Sequence, residues 1–290
     1  MSAFRVMSRR VQSGFGLVEM MVALVLGLLV VGAAFAIFQS NQRTFSSNQG
    51  LNRIQEGARA AFEMMGNDLR AAGGSACSNV ARPDVEHSNN TRETAFLSTP
   101  VSGSGSEFTV TSADDDAYPV TTATTNSVTI NVAKVQEDNP SFSVADAFKA
   151  GDFMIICNAS QLYVVGVQTV SGNVVSFAPA TPLVMTADPM APAPSVLVSR
   201  FRQHRWYLAS GSLMVDRNDG TGGQRVIDNV GAMSVSYLRD GATSYVASPS
   251  LWSDVTAARV NLTLTGPTAV DGNTTTRNFS SVVNLRSRVQ

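Results

Sequence analysis

Histidine, lysine and cysteine each occur only twice in this 290-residue chain, as His87 and His204, Lys134 and Lys149, and Cys77 and Cys157. Two histidines in unrelated polar settings form no Cys/His metal spacing and no obvious base pair, so both read as solvated surface residues. With two lysines and 19 arginines in no run or stripe, the chain lacks the basic track that follows a phosphate backbone. Only weak nucleic-acid contact through scattered arginines stays open. Proline is absent before Pro83, so nothing upstream obliges a helix to break. The glycine-rich Gly220-Thr221-Gly222-Gly223 lacks the Lys-Ser/Thr of a phosphate loop and reads as a turn. The acidic groups Asp114-Asp115-Asp116 and Asp216-Arg217-Asn218-Asp219-Gly220 do not have the spacing of a calcium loop and read as exposed turns. No catalytic residue, cofactor or metal ligand is expected from these features.

What the chain does have is one long apolar run, Gly14 to Phe38, broken by a single charge at Glu19 and preceded by a short leader with Arg5, Arg9 and Arg10. From Phe15 to Phe38 a helix would span roughly 36 Å, enough for a hydrocarbon core of about 30 Å. A carboxylate there costs about 2.5–3.5 kcal/mol on insertion scales, which suggests that Glu19 is used. The leader arginines, with no acid among them, hold that end in the cytoplasm, so the chain after residue 38 is exported. Removing the leader leaves 18 basic and 22 acidic residues, a net charge of −4. An ordinary secretory signal is the competing reading, with Ala34-Phe35-Ala36 as its cleavage site. Its apolar stretch would exceed the usual length, and a glutamate inside it is out of character. An uncleaved anchor with a chance carboxylate is the other alternative.

The helix is expected to continue to about Ala72. Leu51, Ile54, Ala58, Ala61, Met65, Leu69 and Ala72 recur at three- and four-residue steps and form an apolar stripe, while Arg53, Glu56, Arg59, Glu63 and Arg70 lie off it. Gly73-Gly74 supplies the stop. Gly27, Gly32, Gly50, Gly57 and Gly66 lower helix propensity and suggest local bending. From residue 75 onward the pattern changes to short alternating runs: Phe108 and Val110; Val128, Ile130 and Val132; Val260, Leu262 and Leu264. Val170–Val174 and Asp219–Gly223 read as hairpin turns, and Val226–Val230 and Met233–Tyr237 as further short strands. Pro179 to Pro194, with five prolines, reads as a surface loop or a connection between subdomains. No internal repeat is evident. The expected fold is α+β, a long N-terminal helix packed on a mostly antiparallel β-rich domain of one or two lobes.

Cys77 and Cys157 both fall in the exported region, where a pair tends to form a disulfide; two buried free thiols are the alternative. A disulfide would close a loop of about 80 residues.

Gly14, Phe15 and Glu19 resemble the signal of type IV prepilins, in which a basic leader ends in Gly and the mature chain opens with Phe and carries Glu as its fifth residue. Gly16 departs from the pattern, since many pilins have Thr or Ser there. The resemblance implies cleavage after Gly14 by a membrane-embedded prepilin peptidase, N-methylation of Phe15, and pairing of Glu19 with the terminal amine of a neighbouring subunit. Asp68 to Cys77, Gly151 to Asn158, Trp252 to Val255, Ala258 to Leu262 and Val283 to Arg288 are similar, in that order, to segments of PilW-type minor pilins. The J-type pseudopilin of type II secretion is the second relative.

Four segments are therefore expected: a cleaved leader over 1–14, a membrane half of the helix over 15–38, an amphipathic half over 39–74, and an exported domain over 75–290. The resemblance implies a single-pass inner-membrane protein, N-terminus cytoplasmic and C-terminal domain periplasmic, that later joins a surface pilus. Its expected partners are other minor and major pilins, the prepilin peptidase, the inner-membrane assembly platform and membrane lipid. A place at the tip or in the initiating complex suits the size of the exported domain. A type II secretion pseudopilin and a pilus-displayed adhesion or DNA-binding module are the alternatives.

Overall fold

A computed structural model describes residues 16–77, 91–159, 161–178, 196–268 and 274–287. Its first element is a helix, α1, Leu17–Ala71, of 55 residues. It runs without interruption through Gly27, Gly32, Gly50, Gly57 and Gly66, so no break forms at the glycines. Residues 16–49 are exposed throughout, and burial begins at Gly50. From there Ile54, Ala58, Ala61, Met65 and Leu69 turn inward on one side, as their spacing dictates. Leu51, read as part of that stripe, is only half-buried.

The helix ends where glycine allows it. Ala72 caps it, and Gly73 adopts φ 67°, with its N–H donating to the Thr111 carbonyl at 2.9 Å. A Cβ at Gly73 would lie 3.0 Å from both Pro100 Cβ and Ser287 Oγ, so glycine is needed for space as well as for backbone. The Ser287 hydroxyl donates to the Ala72 carbonyl at 2.6 Å, tying the end of the chain to the end of the helix.

Among the described residues twelve strands follow, with three short helices among them. They are α2, Thr91–Ser98; β1, Val101–Ser102; β2, Glu107–Ala123; β3, Ser127–Ile130; α3, Val132–Gln136; α4, Val144–Ala147; β4, Phe153–Cys157; β5, Leu162–Ser171; and β6, Val174–Phe177. After these come β7, Leu197–Ala209; β8, Ser212–Asp216; β9, Gly223–Asp228; β10, Val230–Arg239; β11, Val255–Thr268; and β12, Thr274–Asn284. Every pairing between strands is antiparallel.

Nine strands form one sheet in the order β1-β2-β3-β6-β5-β4-β7-β8-β9, and β2 also pairs with β7. That extra pairing closes a ring, β2-β3-β6-β5-β4-β7, a small six-stranded barrel. The interior is packed with Val120, Val128, Ile130, Met154, Ile156, Val165, Val175, Phe177 and Val198. The segment carrying α3 and α4 adds Phe142, Val144 and Phe148 to the same cluster, where Tyr118 stacks on Phe142 with centroids 4.8 Å apart. The opposite side chains of β4 and β5, Ile155, Cys157, Leu162 and Val164, pack under Phe96 of α2. Burial on both faces explains why Phe153–Cys157 reads as a continuous apolar run instead of an alternating one.

Below the barrel, the first half of β2 and the second half of β7 continue into a sheet with β1, β8 and β9. The apolar face of that sheet, the inner face of the β10-β11-β12 sheet and the stripe of α1 meet in one core, which includes Phe108, Trp206, Val235, Tyr237, Val260 and Leu262.

Two sequence expectations need correction. Val132 is not a strand residue: β3 ends at Ile130, and the Asn131 side chain accepts from the Lys134 N–H to start α3. Val226–Val230 is not one strand. Asn229, at φ 61°, ends β9 in the nine-stranded sheet and starts β10 in the other. The hairpins at Val170–Val174 and Asp219–Gly223 form as expected, with Gly172, Gly220 and Gly222 at positive φ. Pro179 to Pro194 lies outside the described residues.

Cys77, just past the helix, is joined to Cys157 at the end of β4, with Cα atoms 5.9 Å apart and a sequence separation of 80. Replacing Cys77 with serine is expected to remove about 4 kcal/mol of stability by opening that loop. Chemical denaturation of the full chain in detergent measures this, and reductant should shift the native protein toward the variant and leave the variant unchanged.

Candidate functional site: the two halves of the long helix

Gly14 and Phe15 lie outside the described residues. The structure begins at Gly16, the N-cap of α1, whose carbonyl accepts from the Glu19 N–H at 3.0 Å and from the Met20 N–H at 3.2 Å. Glu19 therefore sits in the first turn, where the unpaired N–H groups and the helix dipole favour a carboxylate. It is the only charged residue between Gly16 and Phe38. Around and after it Leu17, Met20, Leu24, Leu28, Val31 and Phe35 are all more than half exposed. The most apolar 18 residues have a mean hydropathy of 2.8, and none of them is buried. A stretch this apolar, turned outward on every side, has no core of its own to enter.

The other half of the helix is held by more than its stripe. Asp68, beside Leu69 in the last turns, accepts a hydrogen bond from Trp206 Nε1 at 2.7 Å through Oδ2, and the same oxygen lies 3.0 Å from His204 Nδ1. Trp206 is fully buried and its ring lies nearly parallel to Phe108 with centroids 6.4 Å apart. The His204 side chain is 13% exposed and that of Asp68 21%. His204 is thus no solvated surface residue, contrary to the sequence reading; alternation along β7 places it two residues from Trp206, facing the helix. One carboxylate joins α1 to the strand shared by barrel and lower sheet. The sequence shows its signal only in retrospect: an acid at the border of an apolar stripe, and a His-x-Trp spacing on a strand. His87, the other histidine, lies outside the described residues.

The acidic groups have structural partners. Asp114, Asp115 and Asp116 occupy the irregularity in β2 between Ala113 and Ala117, where Asp114 and Asp115 hold Arg202. In the β8–β9 turn, Asp216 accepts from the Asn218 N–H at 2.9 Å, and Asp219 accepts from both the hydroxyl and the N–H of Thr221. The Thr221 hydroxyl first, then its N–H, holds the Asp219 carboxyl below its usual range.

A family model described as the prokaryotic N-terminal methylation motif matches residues 9–35. The chain carries a prepilin-type signal. That signal marks type IV pilin-like proteins and pseudopilins, and points to a structural protein instead of an enzyme. It also fits inner-membrane anchoring through the single apolar helix and implies contact with the pilin machinery and its prepilin peptidase. A comparison with curated proteins finds no match, and one with solved structures finds none either.

Replacing Asp68 with alanine would leave the buried Trp206 N–H without its acceptor and is expected to cost about 1–3 kcal/mol. Denaturation of full-length protein in detergent, followed by Trp fluorescence, checks this. Asp68→Asn keeps a neutral acceptor and should recover most of the loss.

Proposed function

We propose that this chain is a minor pilin of the PilW type, cut after Gly14, methylated on Phe15 and built into a type IV pilus in its initiating or tip complex. Residues 15–38 hold it in the inner membrane, residues 39–74 carry the helix into the head, and the domain over 75–290 faces the periplasm. Its partners are other minor and major pilins, the assembly platform and the surrounding lipid. The observation that carries this reading is a single continuous helix, fully exposed and apolar at one end and docked into a β-core at the other, with a lone acid near its start.

The mechanism follows from charge. In lipid, Glu19 costs about 2.5–3.5 kcal/mol. A terminal amine on Phe15 of an adjacent subunit would neutralise it, and burying both charges together is tolerable only when they pair. The pair then works as a register device, since a helix displaced along its neighbour leaves both charges unpartnered. Extraction from the membrane becomes favourable only in the correct stagger. The same signal serves pseudopilins, so a J-type subunit of type II secretion is the second reading.

Mass spectrometry of the mature protein should find an N-terminus at methylated Phe15. A chain beginning at Ile37 would instead identify a secretory signal. Glu19→Ala should leave cleavage intact but reduce the protein in sheared pili by about tenfold or more, as expected for a register contact of a kcal/mol or two. Deletion should lower surface piliation, and loss of exoprotein export with normal pili would favour the pseudopilin.

A further inference from the structure

Helix α1 changes environment twice, and the stretch between the two changes shares neither. Residues 17–38 are apolar apart from Glu19, and from residue 50 the helix docks on the head. Residues 39–49 are polar apart from Phe45, and every one of them is exposed, Phe45 by 64%. A helix that is polar all round gains nothing from burial and depends on charge pairs along its own surface. Arg43 is the only charged residue in this neck, so no such pair forms within it.

The side chains of the neck compete with its backbone. Ser40, Asn41, Thr44, Ser46, Ser47 and Asn48 fill six of its eleven positions. Residues of these types hold a helix less well than alanine, because short polar side chains bond to nearby main chain. Two of them do so here: the Thr44 hydroxyl donates to the Ser40 carbonyl at 3.1 Å, and the Ser46 hydroxyl to the Arg43 carbonyl at 3.0 Å. Bonds of this kind weaken the helical ladder and bend its axis. Gly50, the next residue, is a poorer helix former still.

The other glycines of α1 are held closed by their surroundings. Gly27 and Gly32 lie in the apolar run, and lipid around them supplies no water to replace a broken backbone bond. Gly57 and Gly66 lie in the docked half, where Ile54, Ala58, Ala61, Met65 and Leu69 are buried and Asp68 accepts from Trp206. Of the three stretches, the neck is the one in which water can take over the backbone hydrogen bonds with no packing lost. The weak point of the helix is therefore set by the polar side chains between its halves and not by its glycines.

We propose that residues 39–49 are a helix–coil joint, which unwinds reversibly while the apolar half and the head stay folded. As a helix the eleven residues span about 16 Å, and fully extended they span about 36 Å. The joint lets the head swing off the helix axis and stand up to about 20 Å farther from the apolar half. The inference rests on the three environments of α1 and not on which assembly the chain joins.

The test uses the full chain in detergent. Amide hydrogen exchange at residues 41–49 is expected to be about tenfold or more faster than at residues 20–36 and 54–69. Arg43 is the only basic residue between Arg10 and Arg53. Trypsin at a low ratio should therefore cut first after Arg43, releasing a folded head that begins at Thr44, before Arg53 and Arg59 are reached. Ser40→Ala, Asn41→Ala, Thr44→Ala, Ser46→Ala, Ser47→Ala and Asn48→Ala combined strengthen the neck alone, and should slow both its exchange and that cut by about tenfold or more. Spin labels on Gln39→Cys and Asn52→Cys, about 20 Å apart along a continuous helix, should show an added broad component at longer distance, which the six alanines remove. Should the alanine variant fail to fold, exchange, cleavage and label distances of the unsubstituted neck decide. Exchange in the neck as slow as in the docked half, cleavage after Arg53 as early as after Arg43, a single narrow label distance, or rates indifferent to the alanines overturns the proposal.

Discussion

One helix must satisfy two solvents, and the remaining architecture is arranged around that demand. Its first half offers apolar side chains in every direction, suited to lipid or to other helices, and its second half offers them on one side only. The change comes at Gly50, after a polar neck from Gln39 to Gln49 in which Arg43 is the only charge. Beyond it, Ile54, Ala58, Ala61, Met65 and Leu69 are the shared floor on which two separate β-sheets meet. Without that stripe the two sheets would have opposing faces and nothing between them.

Around the end of the helix, attachments of different chemistry converge. Hydrophobic packing gives area but no direction, whereas the bond from Trp206 to Asp68 and the bond from Ser287 to the Ala72 carbonyl are directional. The disulfide from Cys77 then reaches across to β4. Each ties the helix terminus to a different element: β7, the C-terminal segment, and the barrel wall. Gly73 permits the sharp exit that brings all three within reach.

Much of this is legible in the sequence. The apolar run, the stripe at three- and four-residue steps, the stop at Gly73-Gly74 and two of the turns follow from local chemistry, because helix faces and positive-φ glycines are properties of adjacent residues. What local chemistry does not specify is partnership. Alternation at Val128 and Ile130 marks a strand but not its neighbours, so the ring closed by β2 and β7 is invisible. Val132 continues the alternation and yet starts a helix, because Asn131 caps it. The strand-like segment Val226–Val230 hides a change of sheet at Asn229. His204 looks polar and exposed in sequence, since the carboxylate that receives it lies 136 positions away. The Asp114–Asp116 triplet resembles a turn but occupies an irregularity within β2, at the point where that strand passes from the lower sheet to the barrel.

The sharing of β2 and β7 between barrel and lower sheet has a mechanical meaning. A domain whose two lobes are joined by a linker has a seam along which traction can separate them. Here the seam is crossed by two strands, β2 and β7, that pair with each other on both sides of the irregularity between Ala113 and Ala117, so separating the lobes means pulling both strands away from their neighbours instead of parting a linker. A load applied to the helix would reach β7 through the indole of Trp206 and the barrel wall through the Cys77–Cys157 disulfide. The head is a monolithic grip at the end of a rod.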